Sequence, residues 1–242
     1  MPSVPSDPSP LPARSVALSL LLGSHPDRMS PARLTRAGER FGVPAATMRV
    51  ALTRAVAAGD LRRVDGDYVL GERLVARQRR QDEAVEDAGL PWDGTWEQAV
   101  VVVTGRSGSE RASLRDDLAR ARLAELREGV WTRPANLRRP PPYASEPVLR
   151  CFRATPYDDG PTAARDLAGQ LWDLPAWARE GRALLAGLTT TSDPAPRLAV
   201  AAALVRHLAT DPLLPAALLP ADWPGDELRA AYGTYQASLR DL

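Results

Sequence analysis

A chain of 242 residues can bury a sizeable core and favours two or three small domains over one. It is 25% charged and 44% hydrophobic, as in an ordinary globular protein. All 31 basic residues are arginine, which excludes a phosphate-loop lysine and a lysine Schiff base. The net charge of +1 hides an asymmetry, because residues 1–80 carry 13 Arg against 7 acidic residues and residues 81–242 carry 18 against 23.

Residues 1–12, MPSVPSDPSPLP, lack both a basic and an apolar signal region and read as a disordered tail. Val16, Ala17, Leu20 and Leu21 give a first helix over Arg14–Leu22, with Gly23 past its end. Ser30 is a good N-cap and Pro31 suits the first helical position. Leu34, Ala37 and Phe41 recur at helical spacing, and Gly42 offers a left-handed stop. After Gly42-Val43-Pro44 a second helix buries Met48, Ala51, Leu52, Ala55 and Val56 and turns Thr47, Arg49, Thr53 and Arg54 outward. Leu61–Val64 and Asp67–Leu70 flank Asp65-Gly66, a dipeptide that favours a two-residue type I′ hairpin. Helix, turn, helix and hairpin make a winged helix, a unit that lays its second helix in the DNA major groove.

Glu72–Ala88 reads as a solvated connector helix, basic in its first half and acidic in its second. Trp96–Thr104 is an apolar, β-branched run expected to form a strand buried on both faces. Glu110–Leu126 follows as an amphipathic helix, Gly129–Pro134 as a second strand, Val148–Ala154 as a third and Thr162–Leu171 as another helix. That order, with one weak strand unassigned, suggests a ferredoxin-like sandwich. Beyond Trp172 the chain reads as all-helical, with helices over 175–188, 196–209 and 226–239 ended by prolines. The expected architecture is α+β: a tail (1–12), a winged helix-turn-helix (13–71), a connector (72–91), a ferredoxin-like α/β sandwich (92–171) and a helical C-terminal domain (172–242).

Four groups of residues resemble the PaaX family of bacterial transcriptional repressors. The first is the leucine-rich helix Arg14–Gly23. The second is Phe41-Gly42-Val43 with Met48–Arg54 and Gly59-Asp60-Leu61. The third is Trp92-Asp93-Gly94 and Trp96 with Gly129-Val130-Trp131 and Arg133-Pro134. The last is Leu171-Trp172-Asp173-Leu174 with Asp211-Pro212, Leu214-Pro215, Leu219-Pro220 and Trp223-Pro224-Gly225. The resemblance spans nearly the whole chain beyond the tail, and its Trp-Asp-Leu and Trp-Pro-Gly elements are the specific ones. It implies a winged helix, a central domain similar to the small CRISPR-associated nucleases, and a helical C-terminal domain. It also implies a dimeric repressor of aromatic-acid catabolism, released from DNA by an aryl-acyl coenzyme A thioester. The nuclease relatives end their first strand on a metal-binding acid, whereas Thr104-Gly105-Arg106 stands there here, which argues against nuclease activity.

Other chemistry finds little support in the residues. Gly105–Ser109 only superficially resembles a phosphate loop. His25, His207 and Cys151 offer no zinc spacing, and Cys151 reads as a small core residue. The pairs Asp116-Asp117 and Asp158-Asp159 are adjacent, so each pair diverges and reads as solvated surface. His207 is expected to pack or to face a partner. A lone cysteine permits no internal disulfide and fits a reducing cytoplasm, and no run reaches membrane-spanning length. An enzyme is not expected, and neither is a cofactor or a metal.

The expected partner is a double-stranded DNA operator. Thr47 and Arg49 stand where side chains reach base edges, and arginine there can pair with guanine O6 and N7. Thr53 and Arg54 lie nearer phosphates. Arg62 and Arg63 in the wing can reach phosphates or the minor groove, and Arg33 and Arg36 are backbone-contact candidates. A homodimer reading an inverted repeat is expected, with Trp172, Trp177, Leu184, Leu204 and Leu208 either forming its interface or filling an internal core. An acyl-coenzyme A effector would bring phosphates to Arg133, Arg138, Arg139, Arg150 and Arg153, with Trp131 and Tyr143 beside them. The competing readings are a winged-helix protein-interaction module without DNA binding and a nucleic-acid-processing enzyme.

Overall fold

A computed structural model of the chain describes residues 11–86, 89–157 and 161–240. Residues 1–10 of the expected tail, the end of the expected connector and Asp158-Asp159 lie outside them. The chain forms two compact units. One gathers the chain up to Val85 with Glu180–Ala209 and Pro224 onward, and the other gathers Glu86–Arg179 with Thr210–Trp223.

In the first unit, α1 (Ala13–Leu22) buries Val16, Ala17, Leu20 and Leu21, as its periodicity requires. A two-residue strand, β1 (Arg28–Met29), leads to α2 (Pro31–Arg40), where the Ser30 hydroxyl accepts a hydrogen bond from the Arg33 amide at 3.2 Å. Gly42, at φ +74°, makes the turn into α3 (Ala45–Ala57), which buries Met48, Ala51, Leu52 and Ala55. Gly38 permits the close approach of these two helices, since a Cβ there would lie 2.4 Å from Met48 Cε. The wing strands are β2 (Leu61–Val64) and β3 (Asp67–Leu70), and between them Asp65 (φ 51°) and Gly66 (φ 86°) take the two left-handed positions of a type I′ turn. β1 pairs with β3, so the expected two-stranded hairpin is a three-stranded sheet in the order β1-β3-β2. Arg28 fastens that third strand, its Nε donating to Asp67 at 2.7 Å.

Helix α4 (Glu72–Val85) is not the solvated connector expected from its charge pattern. It buries Leu74, Gln78, Gln81 and Ala84 and packs against α1, α8 (Pro194–Leu208) and α9 (Gly225–Arg240). The Gln78 amide donates to the carbonyls of Leu22 at 3.0 Å and Ser24 at 3.1 Å, satisfying groups that the end of α1 leaves free. From α9, Gln236 donates to the Gly23 carbonyl at 3.0 Å and Arg229 to that of Ala84 at 2.9 Å. Polar side chains thus make this junction, which an apolar-periodicity reading passes over. The compact units therefore divide the chain differently from the expected partition, with α8 and α9 belonging to the winged-helix unit. Leu204 and Leu208 are fully buried there, and His207 packs with Nδ1 3.7 Å from the Glu180 carboxylate.

The second unit is built on an antiparallel sheet of β4 (Trp96–Val101), β5 (Ala124–Arg127), β6 (Val130–Pro134) and β7 (Leu149–Ala154). Its order, β5-β6-β4-β7, is that of a ferredoxin-like sandwich. One helix, α5 (Gly108–Arg120), joins β4 to β5, but the second, α6 (Pro161–Leu171), follows the fourth strand instead of preceding it. The helix expected to reach Leu126 stops at Arg120, because Arg122 turns left-handed at φ 68°, and the residues beyond form the unassigned strand. β4 is shorter than expected and leaves Val102 and Val103 exposed beyond its end. Its Ala99 lies under Leu114 and Leu118 of α5. On the other face, Trp96 packs with Ala168 of α6, Leu174 of α7 (Leu174–Thr190), Leu214 and Leu218. Trp92, Trp172 and Trp223 join that cluster, and Trp177 stacks on Trp223 at 4.4 Å, so Trp172 and Trp177 serve this unit's interior. No described helix is long and apolar enough to cross a membrane.

Asp60, between α3 and β2, is 1% exposed and accepts from Arg14 Nε at 3.0 Å and from Arg73 at 2.5 Å. Burial alone would raise its carboxyl, but the two arginines outweigh burial and hold it below the usual value. A group lowered in the folded state stabilises the protein above its unfolded-state value, near about 3.9, and loses that contribution as pH falls through the folded value. Asp60→Asn is expected to cost about 2–3 kcal/mol at neutral pH. In far-UV circular dichroism melts, its deficit relative to wild type should shrink steadily below about pH 4; a deficit unchanged with pH would contradict the ionic role.

Candidate nucleic-acid interface

The buried side of α3 fixes what its other side presents. Because Met48, Ala51, Leu52 and Ala55 face the core, Thr47, Arg49, Val50, Thr53 and Arg54 are left exposed. Arg49 and Arg54 make no ion pair with another described residue. The Thr53 hydroxyl donates to the Arg49 carbonyl at 3.0 Å, so its remaining capacity is as an acceptor. Val50, half exposed, lies between the polar residues, on the outward side where the sequence pattern singles out only Thr47, Arg49, Thr53 and Arg54. Arg33 and Arg36 are exposed on α2, as is Arg40 one turn beyond Arg36.

The two wing arginines differ. Arg63 donates to the Gly66 carbonyl at 3.0 Å and lies over the Tyr68 ring at 5.1 Å, so the hairpin itself holds it. Arg62, also exposed, makes no ion pair with another described residue. Asp65 at the wing tip and Asp67 are partly neutralised by Arg28, whose pKa is raised chiefly by its bond to Asp67.

The residues expected to hold an effector do not form one cluster. Trp131, Arg133 and Tyr143 are buried in the second unit. Arg133 stands opposite Glu97 in the β4–β6 register and donates to the Pro134 carbonyl at 3.0 Å, to Asn136 at 2.9 Å and to the Leu213 carbonyl at 3.4 Å. Burial lowers its pKa to about 10 while Glu97 opposes that shift. The Tyr143 hydroxyl donates to Glu97, and burial together with that bond raises its pKa. Arg138, Arg150 and Arg153 are exposed, and Arg139 is half-buried, donating to the Ala121 carbonyl at 3.3 Å. Arg133, Glu97 and Tyr143 are thus buried polar groups of this unit, and Trp131 belongs to its apolar core. Cys151 is half-buried in β7, and burial raises its thiol. No cluster of three or more metal-ligating side chains occurs among the described residues.

Three family models match the chain. Residues 12–74 match a PaaX-like protein, residues 89–141 the PaaX protein central Cas2-like domain, and residues 174–242 the PaaX-like protein C-terminal domain. The solved structure of the uncharacterized protein Rv0674 from Mycobacterium tuberculosis is 46% identical, with a TM-score of 0.80, over 95% of this chain and 96% of that one. No curated protein matches.

The Glu97–Arg133 pair yields a stability test. Glu97→Gln removes the buried carboxylate that accepts from Tyr143 and whose charge opposes the burial shift of Arg133, and is expected to cost about 1–3 kcal/mol. All six tryptophans lie in the second unit, so tryptophan emission during urea unfolding reports it directly. Replacing both partners, as Glu97→Gln with Arg133→Met, should recover part of the loss, and a double variant as unstable as the sum of the singles would contradict the pairing.

Proposed function

The chain belongs to the PaaX-like family, and on that footing we propose that it is a DNA-binding transcriptional regulator, acting as a repressor of a catabolic operon. The observation that carries this reading is the outward face of α3. Five adjacent exposed residues, Thr47, Arg49, Val50, Thr53 and Arg54, are held in one orientation by a buried apolar side. Arg49 reads a guanine through O6 and N7, Val50 packs on a thymine methyl, and Thr53 accepts from a base amino group. Arg54, Arg62, Arg33 and Arg36 set the register against phosphates, and Arg63 braces the wing. The positive balance of residues 1–80 supports the approach to a polyanion. A homodimer reads an inverted repeat, since one winged helix spans a single half-site. An acyl-coenzyme A or related aromatic-acid derivative releases it.

Genomic fragments retained by the purified chain supply the operator for gel shifts. Arg49→Ala should weaken binding by about 1–3 kcal/mol and relax specificity at one guanine, and Arg54→Ala should lower the salt slope by about 1. Val50→Ala should weaken binding to the natural site but not to a site with uracil replacing the contacted thymine. Failure to retain any fragment, or wild-type binding by Arg49→Ala and Arg54→Ala together, favours the protein-interaction reading instead. Sedimentation of the protein on its operator should give two chains per inverted repeat; one chain per site would overturn the dimer.

A further inference from the structure

The wing sheet has an inner and an outer face. Leu61, Tyr68 and Leu70 turn inward and are buried, with Met29 of β1 beside them. The opposite face carries Arg62 and Val64 of β2, Asp67 and Val69 of β3, and Arg28 of β1. The register sets Arg28 and Arg62 on either side of Val69 in one row, with backbones roughly 10 Å apart.

The two guanidinium groups of that row are used differently. Arg28 is turned toward the wing tip. Its Nε donates to Asp67 at 2.7 Å, and its Nη2 donates to the Val64 carbonyl at 3.2 Å and lies 3.4 Å from the Asp65 carboxylate. Arg62 makes no ion pair with another described residue. Arg28 and Arg62 are thus matched by Asp65 and Asp67, so the outer side of the wing carries no net charge, although residues 1–80 carry 13 Arg against 7 acidic residues. The turn does not require the carboxylate at position 65. A type I′ loop needs left-handed backbone at both central positions, and Asn-Gly supplies that as well as Asp-Gly. The Asp65 side chain is 79% exposed and its link to Arg28 is long, so its charge is only weakly compensated.

We infer that Asp65 is a specificity-determining residue that acts by exclusion, repelling backbone phosphates from the wing tip. On the operator, base contacts from α3 fix the wing in one register that keeps the tip clear of phosphates. On other duplexes the protein is held by phosphates alone, where one repulsive charge takes a larger share of the binding. Arg28 limits the repulsion and keeps the turn in place. This role rests on the DNA-binding reading and adds a repulsive element to the attractive contacts of α3 and Arg62.

Fluorescence anisotropy on the operator and on a scrambled duplex of equal length tests it. Asp65→Asn should melt as wild type does, because the turn is kept. It should tighten binding to the scrambled duplex by about tenfold at low salt and to the operator by about threefold or less. The gain should shrink as added salt shortens the screening length. Arg28→Ala should weaken binding to both duplexes, and Asp65→Asn in the same chain should recover that loss, which a merely structural role for Arg28 does not allow. Unchanged binding of the scrambled duplex by Asp65→Asn, a gain that salt does not diminish, no recovery of Arg28→Ala, or a loss of operator affinity in Asp65→Asn would each overturn the assignment. A wild-type chain that binds neither duplex overturns the DNA-binding reading itself, and this role with it.

Discussion

A buried carboxylate organises the winged-helix unit. Asp60 stands in the short link between α3 and β2 and is bound by Arg14 from α1 and Arg73 from α4. Three elements therefore meet at one charge that would be costly to bury unpaired. The backbone tightens the same point. Gly71 donates to the Asp60 carbonyl at 2.7 Å, and a Cβ on Gly71 would lie 2.2 Å from the Gly59 carbonyl oxygen. Chain entering and leaving the wing is thus closed into a knot that only glycine permits at position 71. The orientation of α3 follows, because its last turn and the wing are both tied to this knot. What α3 presents outward is a consequence of what Asp60 holds inward.

The second unit has its own constraint in Glu97. It stands opposite Arg133 in the strand register and its carboxylate accepts from Tyr143, while the Arg133 fork reaches on to Asn136 and to the Leu213 carbonyl. This ties the sheet to the Thr210–Trp223 segment, which returns to the unit from far along the chain. The tryptophans complete the tie, since Trp92, Trp96, Trp172 and Trp223 converge on one cluster although their positions in sequence are widely separated. The Trp-Asp-Gly, Trp-Asp-Leu and Trp-Pro-Gly elements that carry the family likeness are therefore elements of packing. They identify the fold and leave the ligand open, which is why family membership alone does not assign a binding site.

Local chemistry made much of this readable. Ser30-Pro31, Gly42 and Asp65-Gly66 each impose one backbone geometry, and each is found as its residue type demands. Reading failed where structure depends on side chains acting at long range or against their type. β1 exists only because β3 pairs with it. The end of α5 is set by a left-handed arginine, a conformation that periodicity does not reveal. Helix α4 looked solvated because its buried face uses Gln78 and Gln81, and the value of Gln78 lies in carbonyls some fifty residues away. For the interface, the arginines were visible but their commitments were not: Arg63 is held by its own hairpin and Arg133 by the core.

That distinction matters more here than in most chains, because every basic residue is arginine. Arginine serves both as a buried fork and as a recognition group, so counting it cannot separate the two uses. Partners can. Arg14, Arg28, Arg73, Arg133 and Arg229 are spent on named carboxylates and carbonyls within the protein. Arg49, Arg54 and Arg62 are exposed without an ion pair to another described residue. An unselective attraction to phosphate would need only those charges. A half-exposed valine set among them adds nothing to such an attraction and is disfavoured against water. Under the proposed reading that valine has a use, because the major groove offers a thymine methyl beside the base edges. The proposal of a sequence reader thus rests on the mixed apolar and polar character of the α3 face and not on its charge alone.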